Sequence, residues 1–341
     1  MWQAVLESKE RIIFKEVEKP IPRPNEVLIK IKRIGICGSD IHAFYGKHPY
    51  ISFPIIQGHE FSGQIIEVGK DTMRFQPGDN VTIMPQVVCG RCYPCTHGNY
   101  HICQNLKVIG CQTAGAAQEY FAVDEKLVVK LPADMSYDFG AMVEPLAVGV
   151  HALGRLSELK EMNLLVLGAG PIGNLAAQAA KGLGVRSVMI TDINEFRLEI
   201  AKKCGLDYPI LVSREDLSQA IEKHFGEAGV DAILECVGLQ ATIEQAIQRA
   251  RKGTEIIVVG VFSEVPRVNI GLIQDKELRV IGSLMYREED YHMAIELIQS
   301  GKVHLQPLIS AHFPFMDYEK AYRFIENNKN KIMKVIINME I

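Results

Sequence analysis

Two hydrophobic rhythms divide the chain. Up to about residue 135 the apolar positions come in short runs punctuated by Pro and Gly: Val27 to Ile34 alternates around Ile29 and Ile31, Phe61 to Val68 is a second run, and the turn Pro77-Gly78-Asp79 leads into Val81-Thr82-Ile83. Period-two runs bounded by turn residues predict short strands, and so a β-rich barrel. From about residue 145 apolar strands alternate with helix-period segments: Asn163 to Leu167 then Ile172 to Leu183, Val188 to Thr191 then Glu195 to Cys204, Ala232 to Cys236 then Thr242 to Ala250. That order predicts parallel βαβ units and a doubly wound sheet. Helical patterns from Asp290 to Gln299 and from Met316 to Asn327, and a strand from Val335 to Asn338, fit either half. The sequence has no internal repeat and no low-complexity linker.

At 341 residues and 48% hydrophobic composition the chain is long enough for its core to divide, which agrees with the two rhythms. A net charge of −4, with no cluster of Lys and Arg, leaves nothing to neutralise a phosphate backbone, so no nucleic-acid partner is expected. Met1 to Glu10 has no apolar segment ending in a cleavage site, and no run of about 18 apolar residues occurs anywhere. The expectation is a soluble cytoplasmic protein with no membrane partner.

In such a compartment eight cysteines read as metal chemistry before disulfides, because four of them crowd together. Cys89, Cys92, Cys95 and Cys103 have the spacing C-x2-C-x2-C-x7-C. Four thiolates close a tetrahedron around zinc with no open position, so this is a candidate structural site. The spacing matches neither ferredoxin pattern. His97 and His101 are near enough in sequence to be rival ligands.

A second cluster is more dispersed. Cys37 lies in Gly35-Ile36-Cys37-Gly38-Ser39-Asp40-Ile41-His42, and Gly58-His59-Glu60 follows about twenty residues on. A thiolate, an imidazole and a carboxylate would leave one zinc position open for water or substrate. The blander alternative makes Cys37 a small core residue and His59 a strand cap.

In the second half, Asn163 to Leu167 runs straight into Gly168-Ala169-Gly170-Pro171-Ile172-Gly173 and an apolar helix. This strand, glycine turn and helix is the order a pyrophosphate site needs. Gly168 allows the tight turn, Gly170 a close approach of the diphosphate, and Gly173 close packing of helix on strand. Pro171 fits the first helical turn, where an N–H has no partner to lose. Asp192 ends the next strand, where a carboxylate can accept hydrogen bonds from the adenosine ribose and repel a 2′-phosphate. NAD is therefore the expected dinucleotide. Asp192 also reads as a helix N-cap for the segment from Glu195.

These motifs together resemble the zinc-containing medium-chain dehydrogenases, in particular the branch of sorbitol, sugar-acid and L-threonine dehydrogenases. The resemblance spans essentially the whole chain and rests on Cys37 to His42, Gly58-His59-Glu60, the four-cysteine lobe, Val143-Glu144-Pro145-Leu146-Ala147, the glycine turn and Asp192. It implies a GroES-like catalytic domain over 1–146, a Rossmann NAD-binding domain over 147–284, and a carboxy-terminal return to the catalytic domain over 285–341. It implies that Cys37, His59 and either Glu60 or Glu144 hold a catalytic zinc. Ser39 would relay the substrate's hydroxyl proton and His42 pass it to solvent, Asp40 would orient His59, and Arg197 would lie along the adenosine or stand in solvent. A homo-oligomer, tetramer or dimer, is also implied.

The reaction so implied is hydride transfer between NAD and the secondary hydroxyl of a polyol or sugar acid, giving the ketone. Lys47 and His48, in the polar and aromatic loop Phe44 to Tyr50, are candidates to pair with a substrate carboxylate or phosphate, and Tyr286 and Arg287 are further pocket candidates. Threonine, which needs partners for both an ammonium and a carboxylate, is the rival substrate. A non-catalytic redox sensor that binds zinc and NAD is the rival class.

Overall fold

In the computed structural model, which describes residues 1–340, the chain forms two units. The first comprises Met1–Glu144 and the segment from Ile309 onward; the second is Pro145–Leu308.

The first unit is built on the strand Glu26–Gly35, whose Val27, Leu28, Ile29, Ile31 and Ile34 are almost fully buried. In its seven-stranded sheet the order is Ile309–Pro314, Lys334–Asn338, Glu26–Gly35, Glu60–Val68, Asn80–Ile83, Val128–Lys130, with Tyr120–Asp124 also paired to Glu26–Gly35. Two strands from the chain's end thus complete a sheet begun at its start. The helix Tyr318–Asn327 buries Tyr318, Ala321, Tyr322 and Ile325, one stripe at helical spacing, in the core that holds Ile29, Phe61 and Ile337. Tyr322 stacks on Phe44 with ring centroids 4.6 Å apart. Each such buried apolar side chain contributes about 1.5–3 kcal/mol, so the return is a structural part of this unit.

The return begins at Ile309, later than the boundary at 285 that the resemblance implied, while the first break falls after Glu144, close to the expected end at 146. The reason is the helix Glu288–Gln299. It buries Tyr291, Ala294, Ile295 and Leu297 in the second unit, and its Asp290 carboxylate bonds the buried His151 ring at 2.7 Å.

The second unit carries a six-stranded parallel sheet in the order Tyr208–Leu211, Ser187–Asp192, Asn163–Leu167, Ala232–Glu235, Glu255–Val258, Arg279–Gly282. Numbered along the chain this is 3-2-1-4-5-6, the Rossmann order, with its switch point beside Asn163–Leu167. Every residue of that strand is buried, which explains its continuous apolar run: helices cover both faces. Among the described residues no helix is long and apolar enough to cross a membrane.

Candidate metal centres and dinucleotide turn

The local fold brings Cys37, His59 and Glu60 together. Cys37 is the N-cap of the short helix Gly38–Phe44, and Asp40 in its first turn accepts the Cys37 N–H at 3.0 Å. His59 and Glu60 sit where the strand Glu60–Val68 begins, and Glu60 lies opposite Gly35 in the ladder. One ligand atom from each of Cys37, His59 and Glu60 falls within 4.8 Å of the others. The helix start and the strand start are thus two arms of one site.

Behind His59 runs a buried polar chain. His59 Nδ1 lies 3.6 Å from Asp40 Oδ1, the Gln57 amide donates to the Asp40 carbonyl at 3.1 Å, and the Tyr322 hydroxyl donates to Gln57 Oε1 at 2.9 Å. Burial works against protonation of His59, but Asp40 and then Cys37 outweigh it and hold its pKa well above the ordinary value. A metal has to displace that proton. On the other ring edge, Ser39 Oγ stands 3.5 Å from His59 Nε2, while His42 is exposed. The donor set fits zinc: one sulfur, one nitrogen and one carboxylate, their ligand atoms within 4.8 Å of one another. Glu144 is buried in the same unit but outside this close group.

Cys89, Cys92, Cys95 and Cys103 form the second close group. Cys92 Sγ lies 3.4 Å from Cys95 Sγ and 3.8 Å from Cys103 Sγ, and Cys103 Sγ accepts the N–H groups of Cys89 and Asn105, each at 3.3 Å. Backbone N–H groups of Arg91 and Cys92 draw the Cys89 thiol down to about 6, whereas desolvation and the neighbouring Cys92 push Cys95 up to about 12. Sulfurs this close ionise together only around a cation. Of the rival ligands, His97 bonds the Tyr93 carbonyl at 2.8 Å and stacks on the Tyr93 ring, and His101 is outside the group.

In the second unit Gly168 has φ +99°, and a Cβ there would stand 2.5 Å from the Val237 side chain; a Cβ on Gly173 would be 1.9 Å from the Gly168 carbonyl. The first glycine is needed for the turn and the third for packing, as the sequence suggested. Gly170 is the N-cap of the helix Pro171–Gly182, and a Cβ there would meet nothing within 4 Å, which leaves its backbone open to a ligand. Asp192 ends its strand and is not the cap of the next helix; Asn194 is, accepting from Phe196 and Arg197. One Asp192 oxygen accepts the Ala169 N–H at 2.9 Å, tying the acid to the glycine turn, and Arg197 lies 3.5 Å from it.

Four residues the sequence did not flag belong to the first site: Gln57, Tyr322, Cys111, a buried thiol whose pKa is raised by desolvation and lowered in part by His59, and Lys334. Only Gln57 carried a signal, its place two residues before His59. Tyr286, a pocket candidate, has its ring buried in the second unit edge-on to Tyr291.

A Rossmann sheet with a phosphate-ready glycine turn in one unit, and a thiolate–imidazole–carboxylate cluster plus a four-thiolate cluster in the other, define a zinc-assisted nicotinamide oxidoreductase. Residues 23–133 match the alcohol dehydrogenase GroES-like domain and residues 171–300 the zinc-binding dehydrogenase domain. The chain is 36% identical to a sorbitol dehydrogenase of Halalkalibacterium halodurans over 93% of each chain. To an L-threonine 3-dehydrogenase of Thermococcus kodakarensis it is 34% identical, over 92% of this chain and 91% of the relative. Its fold superposes on the rspB alcohol dehydrogenase of E. coli CFT073, solved with NADH, with TM-score 0.92, 30% identity and 99% of each chain covered. The chain belongs to the zinc-containing medium-chain dehydrogenase family, in the branch of the sorbitol, sugar-acid and threonine dehydrogenases. Its activity is that of the family: NAD- and zinc-linked oxidoreduction of a small molecule bearing a CH–OH group.

Proposed function

We propose that the substrate is a polyol or sugar acid, oxidised at a secondary hydroxyl to the ketone with NAD as acceptor. The observation that carries the site is the close group of Cys37, His59 and Glu60, with the Ser39 hydroxyl against His59. Cys37 and His59, with Glu60 or Glu144, would hold the catalytic zinc, and the four-cysteine lobe a structural one. Zinc held there would supply Lewis-acid polarisation of the substrate oxygen, and bound NAD would supply the hydride acceptor. The rest is the work of the chain. Asp40 orients the His59 ring and is itself fixed by Gln57 and the Cys37 N–H. Ser39 is placed to take the hydroxyl proton and exposed His42 to release it. The redox-sensor alternative has no use for such a path.

The substrate reading rests on the loop after the relay. His48 is half-buried, and desolvation, then the charges of His42 and His59, lower its pKa. Lys47 next to it is exposed. A neutral imidazole with an ammonium at hand suits hydroxyls and a carboxylate on an extended sugar chain. Threonine, named for a relative of nearly equal identity, remains the rival substrate. Initial rates of NAD reduction on polyols, aldonates and threonine decide: the highest kcat/KM should fall on a polyol or aldonate, and activity confined to threonine would overturn this assignment.

For the cofactor, Asp192→Ala removes the carboxylate that in this reading accepts from the adenosine ribose. KM for NAD should rise about ten- to a hundredfold, the share of a hydrogen bond to a charged group, and the preference over NADP should shrink. Fluorescence titration with NADH and NADPH checks this. Equal affinities in variant and wild type would remove Asp192 from the site.

A further inference from the structure

Lys334 lies behind the metal group. The strand Lys334–Asn338 pairs with Glu26–Gly35, and Gly35 stands between Ile336 on one side and Glu60 on the other. From there the Lys334 ammonium donates to both oxygens of the Glu60 carboxylate, at 2.6 and 2.9 Å, and to the Ile36 carbonyl at 3.3 Å. Its side chain is 3% exposed and that of Glu60 is 1% exposed. Both charges are therefore out of water, where each depends on the other.

Position 35 is shaped for this arrangement. A Cβ on Gly35 would stand 2.5 Å from Glu60 Oε2, yet the Gly35 backbone is not left-handed. The glycine provides space for the carboxylate where it meets the ammonium. The bidentate contact makes the Lys334 ammonium the counter-charge of that carboxylate.

One oxygen of the same carboxylate lies within 4.8 Å of the Cys37 and His59 ligand atoms, close enough for the three to share one ion. A buried carboxylate whose only partner is the metal cannot leave it without becoming an unpaired charge, a change that costs several kcal/mol. We propose that Lys334 is a positioning residue that gives Glu60 a second resting place, so that Glu60 can yield its metal position to an incoming oxygen ligand. The inference rests on the reading of Cys37, His59 and Glu60 as a metal site. The ammonium makes the two positions of Glu60 comparable in energy, and Gly35 leaves room for the one on Lys334.

The test uses the holoenzyme with cobalt in place of zinc, whose visible spectrum reports the ligands, with imidazole as the added ligand and a chelator to draw the metal off. In K334M, Glu60 has only the metal to pair with. Imidazole affinity and the rate of metal loss should each fall by at least about tenfold, the usual effect of an outer-shell partner, and kcat should fall more than KM rises. K334R should keep most of the wild-type response. G35A, which crowds Glu60 off Lys334, should shift both readouts in the same direction as K334M. The double variant E60Q/K334M, with neither charge, should regain imidazole binding and fast metal loss. Should K334M not fold, G35A and the double variant carry the test alone. Wild-type imidazole affinity and metal loss in both K334M and G35A would overturn the role of Lys334. Failure of the wild-type chain to take up cobalt at Cys37 would instead overturn the metal reading itself.

Discussion

Replacing Cys37 by serine should lower kcat/KM by about a thousandfold or more, equivalent to roughly 4 kcal/mol of transition-state stabilisation. The sulfur sits at a helix start and within 4.8 Å of the His59 and Glu60 ligand atoms. A serine hydroxyl keeps its proton and is a poor zinc donor, which leaves one imidazole and one carboxylate to hold the ion. Metal analysis should show the loss of one zinc of two, with the four-cysteine lobe still loaded. NADH affinity should stay within about threefold, because the glycine turn and Asp192 belong to the other unit. Full activity with both metals retained would remove Cys37 from the ligand set.

The second large effect is on stability. Cys103 is the most buried of its group, and its sulfur also accepts the backbone N–H groups of Cys89 and Asn105, so it organises the lobe even before a metal joins. Cys103→Ser should release the structural zinc and cost about 3 kcal/mol, a fall in Tm on the order of 10 °C for a unit of this size. The Cys37 site should keep its metal, so specific activity at low temperature should survive better than thermal resistance. Calorimetry with metal analysis reads both, and an unchanged Tm after zinc loss would mean that the lobe is held by its own packing.

The pattern of the chain foretold those elements whose periodicity was not disturbed. Asn163–Leu167 was legible to the residue because a strand covered on both faces is a continuous apolar run. Tyr208–Leu211, with Pro209, and Arg279–Gly282, largely exposed, were not recognised, because they are the two edges of the sheet and lack that signature. The boundary near 285 was misplaced for a similar reason: Glu288–Gln299 and Tyr318–Asn327 are both amphipathic helices, and nothing in either stripe says which core it faces. At the site, the ligands were legible because they cluster in short motifs. Lys334 and Tyr322 were not, since they reach Glu60 and Gln57 across 274 and 265 residues of chain, and a lone lysine in a strand reads as surface.

The most direct test of the central claim is to strip the holoenzyme of metal and follow NAD reduction on its best alcohol substrate as zinc is returned. Activity should reappear in proportion to occupancy of the Cys37–His59 site and should not follow refilling of the four-cysteine lobe. Full activity in metal-free protein, or recovery complete before that site fills, would contradict the account.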